Sequence, residues 1–269
     1  MQLSLFQSDP PPEKISASHP QPVRQPAGKA GQVGAPFSLR RKGAGDEAVK
    51  LKKDPRILMR KVLEPHLPEE SIGFIIDWLI DQKVQLRISN SRTSKLGDYR
   101  PPRSGTIPRI SVNHNLNKYS FLITLVHEMA HHMVMKTMEV RYPVISFRRK
   151  KRPKPHGKEW QSQYRNLMRP FMIPAILPQD IMEVMNLYLE NPKASTTADQ
   201  KLFRVLKRYD IPDGSEFLDR LPFDAVFHLS NGRSFRKKEK MRKRYRCISI
   251  DNGRTYLFNP MAQVFLAEK

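Results

Sequence analysis

Asn117–Lys136 reads NKYSFLITLVHEMAHHMVMK, and this stretch decides the fold. Its apolar residues recur at helical spacing, with Phe121, Leu122, Leu125, Val126 and Met129 on the side expected to face a core. Asn117 or Lys118 marks the start. Within the helix stands His127-Glu128-Met129-Ala130-His131. Four residues on a helix are close to one turn, so the two imidazoles lie on one face, where both can bind one metal ion.

Glu128 then falls beside that metal. A carboxylate there can take a proton from a metal-bound water as the water attacks a polarised carbonyl, the division of labour that metal-assisted hydrolysis requires. A catalytic zinc site has three protein ligands and one open position, so a third donor must come from elsewhere. His156 is a candidate, 25 residues after His131 and just before Gly157 at the start of a helix. Glu159 on that same helix is another. His132 points about 100° away from the pair. His66, His114 and His228 are isolated, and His19 falls in the tail.

Upstream of the motif, Arg56–Leu67 and Glu69–Gln82 read as helices divided by Pro68, the second with a broad apolar face. Val84–Ser89 and Ile107–Asn113 read as half-buried strands. The polar loop between them, with Gly97, Pro101, Pro102 and Gly105, is expected to form an ordered turn region or flap. Downstream, helices are expected near Lys158–Met168, Pro178–Leu189 and Thr197–Tyr209. From about Asp224 the chain changes to short strand-like runs, AVFHL, YRCISI, TYLF and AQVFL, with turn signals at Asn231-Gly232 and Asn252-Gly253.

Strand, strand, HEMAH helix and then His156-Gly157-Lys158-Glu159-Trp160 together resemble the SprT-like family, which includes the Spartan proteases. The resemblance covers about Arg56 to Met172. It implies an α+β zincin-like metalloprotease domain, one zinc ion on His127, His131 and His156, Glu128 as the catalytic residue, and Trp160 packed behind the site. Members of the family often carry a small zinc ribbon built from cysteine pairs after the protease domain. Here Cys247 is the only cysteine of the chain. The resemblance therefore implies a ribbon-like β module without metal, its zinc replaced by an apolar core.

The expected organisation is a disordered, basic, Pro-rich extension over 1–53, a metallopeptidase domain over 54–222 with a helical C-terminal part, and the β module over 223–269. The 269 residues carry a net charge of +22, which favours polyanionic partners. Two basic runs flank the chemistry. One is Arg148-Arg149-Lys150-Lys151-Arg152; the other contains Arg236, Lys237, Lys238, Lys240, Arg242, Lys243 and Arg244, with Phe235 and Tyr245 interleaved. The cations could neutralise phosphates and the two aromatics could stack on unpaired bases, so DNA, single-stranded included, is an expected partner.

Together these readings lead to the expectation of a monomeric zinc endopeptidase acting on DNA-bound or DNA-crosslinked proteins. A nucleic-acid-binding protein with a silent zincin-like domain and a zinc hydrolase of non-peptide substrates stay open as alternatives. One cysteine excludes an intramolecular disulfide and fits a reducing compartment. The N-terminal MQLSLFQSDPPPEK has no basic region before its short apolar stretch, and no run reaches the ~18 apolar residues of a membrane span. A cytoplasmic location, with the nucleoid as a site of association, is expected.

Overall fold

A computed structural model describes residues 54–92, 94–103, 105–141, 153–195 and 198–267. The extension over 1–53 and the run Arg148–Arg152 lie outside the described residues. The architecture is α+β, with six α-helices and two sheets among the described residues.

Helix α1 (Pro55–Leu63) starts where Asp54 accepts a hydrogen bond from the Arg56 N–H at 2.8 Å and Pro55 supplies a preset φ. Helix α2 (Glu69–Asp81) follows Pro68, with Glu69 and Glu70 in its first turn where negative charge suits the helix dipole. It buries Ile72, Ile75, Ile76 and Leu79. The chain then forms β1 (Gln85–Ser89), β2 (Gly97–Arg100) and β3 (Arg109–Asn113). β1 and β3 are parallel neighbours, and β2 pairs antiparallel with the other side of β3. The loop expected to be a turn or flap thus contributes an edge strand.

Helix α3 (Lys118–Arg141) contains the HEMAH motif. Asn117 caps it, its Oδ1 accepting from the N–H groups of Tyr119 and Ser120 at 3.1 and 2.9 Å. Its side-chain amide also donates to the Leu206 carbonyl at 2.9 Å, tying the helix start to a later helix. Every residue from Phe121 to Ala130 is buried, which makes α3 the central helix. It lies between the sheet, through Leu86, Ile110 and Val112, and α4 (Lys158–Met168), through Trp160, Tyr164 and Met168. Helices α5 (Gln179–Glu190) and α6 (Gln200–Lys207) complete this core with Ile181, Met185, Leu202 and Leu206.

The second sheet contains β4 (Glu216–Phe217), β5 (Val226–His228), β6 (Ser234–Lys240), β7 (Tyr245–Ser249), β8 (Thr255–Phe258) and β9 (Gln263–Leu266), in spatial order β4-β9-β5-β6-β7-β8. It begins upstream of residue 223: β4 pairs with β9, and Leu218 and Leu221 sit in its core. Gly232 and Gly253 adopt positive φ (80° and 68°) at the two Asn-Gly turns, a conformation that glycine takes without a Cβ penalty. The core holds Phe227, Phe235, Tyr245, Cys247 and Val264, with Cys247 directly opposite Lys237.

Candidate metal centre

The turn before α4 closes the site. Gly157 N–H donates to the Lys154 carbonyl at 2.9 Å, which puts Pro155 and His156 at the centre of a four-residue turn. Proline is a common first central residue of such turns, and the second often needs positive φ. His156 has φ 58°, in the left-handed region where glycine or asparagine is usual. Such a backbone costs on the order of 1–3 kcal/mol and persists where the surroundings over-determine it. Here it turns the imidazole back onto α3.

The result is a triangle of ring nitrogens. His156 Nε2 lies 3.0 Å from His127 Nε2 and 3.0 Å from His131 Nε2, and the two α3 nitrogens are 3.3 Å apart. With zinc–nitrogen bonds of about 2.0–2.1 Å, two ligands at tetrahedral angles sit about 3.3 Å apart, so the spacing suits a single small cation. These three residues are the group able to hold a metal ion among the described residues. Burial and the neighbouring imidazoles push His127 down to about 2 and His131 to about 4, and burial lowers His156. All three rings are therefore neutral at pH 7 and offer lone pairs to a cation.

Trp160 forms the back wall. Its ring centroid is 4.5 Å from that of His127, 4.8 Å from His156 and 5.6 Å from His131, and its indole N–H donates to the His127 carbonyl at 3.3 Å. Tyr164 stacks on Trp160 at 4.9 Å, with the two rings 10° from parallel, and its ring also lies 5.9 Å from that of His127. The alternative ligands stand elsewhere. Glu159 is exposed and outside the cluster. His132 packs edge-on against Trp78 and Tyr99, 3.3 Å from the Tyr99 hydroxyl.

Glu128 is buried, and its carboxyl is raised to about 7. Burial is the main cause and the Asp98 charge adds to it; the Tyr99 backbone N–H, Lys95 and Arg92 pull the other way. Strand β2 shapes this surrounding. Gly97 packs so closely that a Cβ there would lie 2.7 Å from Glu128 Oε1 and 2.8 Å from Thr124 Cγ2. In the sequence Gly97 reads only as a residue of the loop and Tyr99 carries no signal, because GDYR holds one large apolar residue and no alternation to follow.

In the second sheet the cations sort by strand register, which corrects three expectations. Phe235 is buried, stacked on Phe227 at 5.8 Å and edge-on to Phe258 at 4.9 Å, so it presents no face for a base. Tyr245 is buried beneath Lys237, whose Nζ is 4.2 Å from the ring centroid. Lys237 itself is 2% exposed and donates to the carbonyls of Leu221 and Asp219, which places it out of reach of phosphates. Alternation along β6 and β7 causes all three: the strand-like inner positions belong to them. Lys238 pairs with Asp224. Arg236, Lys240, Arg242, Lys243 and Arg244 stay exposed, the last three in the β6–β7 turn without an ion-pair partner among the described residues.

Comparison with family models, with curated proteins and with solved structures returns no match. No helix among the described residues is long and apolar enough to cross a membrane.

Proposed function

We propose that this chain is a zinc-dependent endopeptidase of the SprT-like kind, with a zincin-type domain, acting on proteins bound or cross-linked to DNA. The observation that carries the reading is the triangle of neutral imidazole nitrogens, 3.0–3.3 Å apart, with the buried carboxyl of Glu128 on the same helix. A zinc ion held by His127, His131 and His156 would supply a Lewis acid that polarises a carbonyl and makes water more acidic.

The chain's own residues do the remaining work. Burial, and after it the Asp98 charge, raise the Glu128 carboxyl and make it a stronger base, so it can accept a proton from water and return it to a leaving amine. The Tyr99 N–H holds that carboxylate in place, and Gly97 leaves the space for it. Trp160 fixes the histidine-bearing turn of α3 and excludes water from behind. The DNA part of the reading rests on the +22 net charge and the exposed Arg242-Lys243-Arg244 turn.

The test is Glu128→Gln assayed on one protein in two forms, free and cross-linked to DNA. The variant should keep one zinc per chain while cleavage falls about 10²–10⁴-fold. Equal cleavage by wild type and variant sinks the peptidase reading, and equal cleavage of free and cross-linked substrate sinks the DNA part.

A further inference from the structure

The outer face of the first sheet carries a second concentration of cations, apart from the histidines. Strand alternation turns Leu86, Ile110 and Val112 to the core and leaves Arg87, Arg109 and Ser111 on the other face. Register sets Arg100 directly opposite Arg109, and Arg87 opposite Ser111. Arg92, from the loop after β1, joins them around an open cavity of about 540 Å³ whose lining includes no acidic residue among the described residues.

This grouping is costly to a folded sheet, because like charges directly opposite one another are destabilising. Asp98 relieves Arg100 at 2.9 Å and is shared with Lys95. Arg87 and Arg109 have no ion-pair partner among the described residues. Arg92 is held in place: its Nε donates to Asn113 Oδ1 at 2.8 Å and its Nη1 to Ser111 Oγ at 3.3 Å. Asn113 is itself fixed by donating to the carbonyls of Arg92 and Lys95 at 3.1 and 3.0 Å. The remaining nitrogen, Nη2, is shielded from solvent and has no hydrogen-bond partner among the described residues. These bonds fix the Arg92 guanidinium at the cavity wall, and a guanidinium already held in place suits an oxyanion that approaches from the open side.

We propose that this basin binds clustered phosphate groups. Four guanidinium groups exceed what one phosphate needs, and arginine forks suit phosphate oxygens. No aromatic residue among the described residues lines the cavity, so the site would grip phosphates without stacking or reading bases. The shared chemistry has two sources, the backbone of a nucleic-acid strand and a small polyphosphate.

The test uses the full chain with two fluorescent 12-nucleotide single strands of different sequence, and with tripolyphosphate, comparing wild type with Arg87→Gln/Arg109→Gln and with Arg92→Lys. Both variants should weaken binding about tenfold or more. For a strand, the double variant should also flatten the slope of log affinity against log salt by about 1.4, two contacts at about 0.7 each, equally for both sequences. Loss confined to the strands assigns the basin to nucleic acid, and loss confined to tripolyphosphate assigns it to a small ligand. Binding of both ligands at wild-type strength by the two variants, with unchanged thermal melting, overturns the proposal, as does a wild type that binds neither. The readout involves no hydrolysis, so its failure leaves the peptidase reading untouched.

Discussion

Gly97→Ala probes the tightest approach of the edge strand to the proposed catalytic carboxyl. An added Cβ would stand 2.7 Å from Glu128 Oε1 and 2.8 Å from both Glu128 Cγ and Thr124 Cγ2, short by 0.6–0.7 Å of the 3.4 Å at which ordinary contact begins. Thr124 Cγ2 is close to its own backbone on a buried helix and cannot swing away. Strand β2 is held by pairing of Gly97 with Val112 and by the Asn113 N–H to Leu96 carbonyl bond at 2.9 Å. Either the carboxylate moves or β2 retreats with the Tyr99 N–H that holds the carboxylate; both separate Glu128 from its working position. Overpacking of this kind costs about 1–3 kcal/mol of stability, or several degrees of melting temperature. Misplacing a catalytic group by a fraction of an ångström up to 1 Å costs up to about 10²-fold in rate, equivalent to about 2.7 kcal/mol of barrier. The three nearest atoms to the added Cβ belong to Glu128 and Thr124 and none to the three imidazoles, so zinc content should stay at wild-type level. Steady-state cleavage of a cross-linked protein, run beside metal analysis, separates the effects. A Gly97→Ala protein that cleaves at the wild-type rate would refute the reasoning, and one that has lost its zinc would show that the strain is not confined to Glu128.

His156→Ala should bind far less than one zinc per chain by metal analysis, because two imidazoles remain of the three-nitrogen set; full retention removes His156 from the centre. Asp199→Ala should cost about 1 kcal/mol, since Asp199 caps α6 by accepting from the Lys201 and Leu202 N–H groups and pairs with Lys193 at 2.8 Å. Burial raises the Asp199 carboxyl, but the Lys193 hydrogen bond and the cap outweigh it and hold it below 3.8. The contribution is therefore present above about pH 4 and fades as pH falls through the folded value, so wild-type and variant melting curves should converge in acid. A gap that is constant with pH contradicts the assignment. Lys237→Met should destabilise by about 1–3 kcal/mol in denaturant titration, leaving the Leu221 and Asp219 carbonyls without their donor, yet leave DNA affinity unchanged. An Arg242→Gln/Lys243→Gln/Arg244→Gln variant should do the reverse; weakened DNA binding by Lys237→Met alone would undo the correction made for that residue.

The helix and its three motif residues were legible because periodicity and metal-ligand spacing coincide in one stretch: an amphipathic pattern places His127 and His131 together whatever surrounds them. His156 was legible as a candidate, not as a geometry, since nothing in Lys-Pro-His-Gly states that the histidine takes a left-handed conformation. Strand β2 was not legible, because Gly97–Arg100 becomes a strand through pairing with β3 rather than through its own pattern. Strand β6 was hidden for a different reason. Ser-Phe-Arg-Lys-Lys-Glu-Lys alternates in burial, but one inner position is taken by Lys237, and a buried cation breaks the apolar–polar alternation by which strands are recognised. The same fact decides how charge should be counted. Of the basic residues between Arg236 and Arg246, Lys237 is spent on carbonyls, Lys238 on Asp224 and Arg246 on Glu239. Meanwhile Arg87, Arg92, Arg100 and Arg109 lie up to 22 positions apart in the chain, form no basic run, and are gathered only by the β1-β3-β2 register. Strand register therefore gathers positive charge where the sequence shows no basic run and withdraws part of it where the sequence shows most, which is why the arginine basin of the first sheet, and not the whole C-terminal basic run, is a surface on which the fold holds several cations around one cavity with no acidic residue in its described lining.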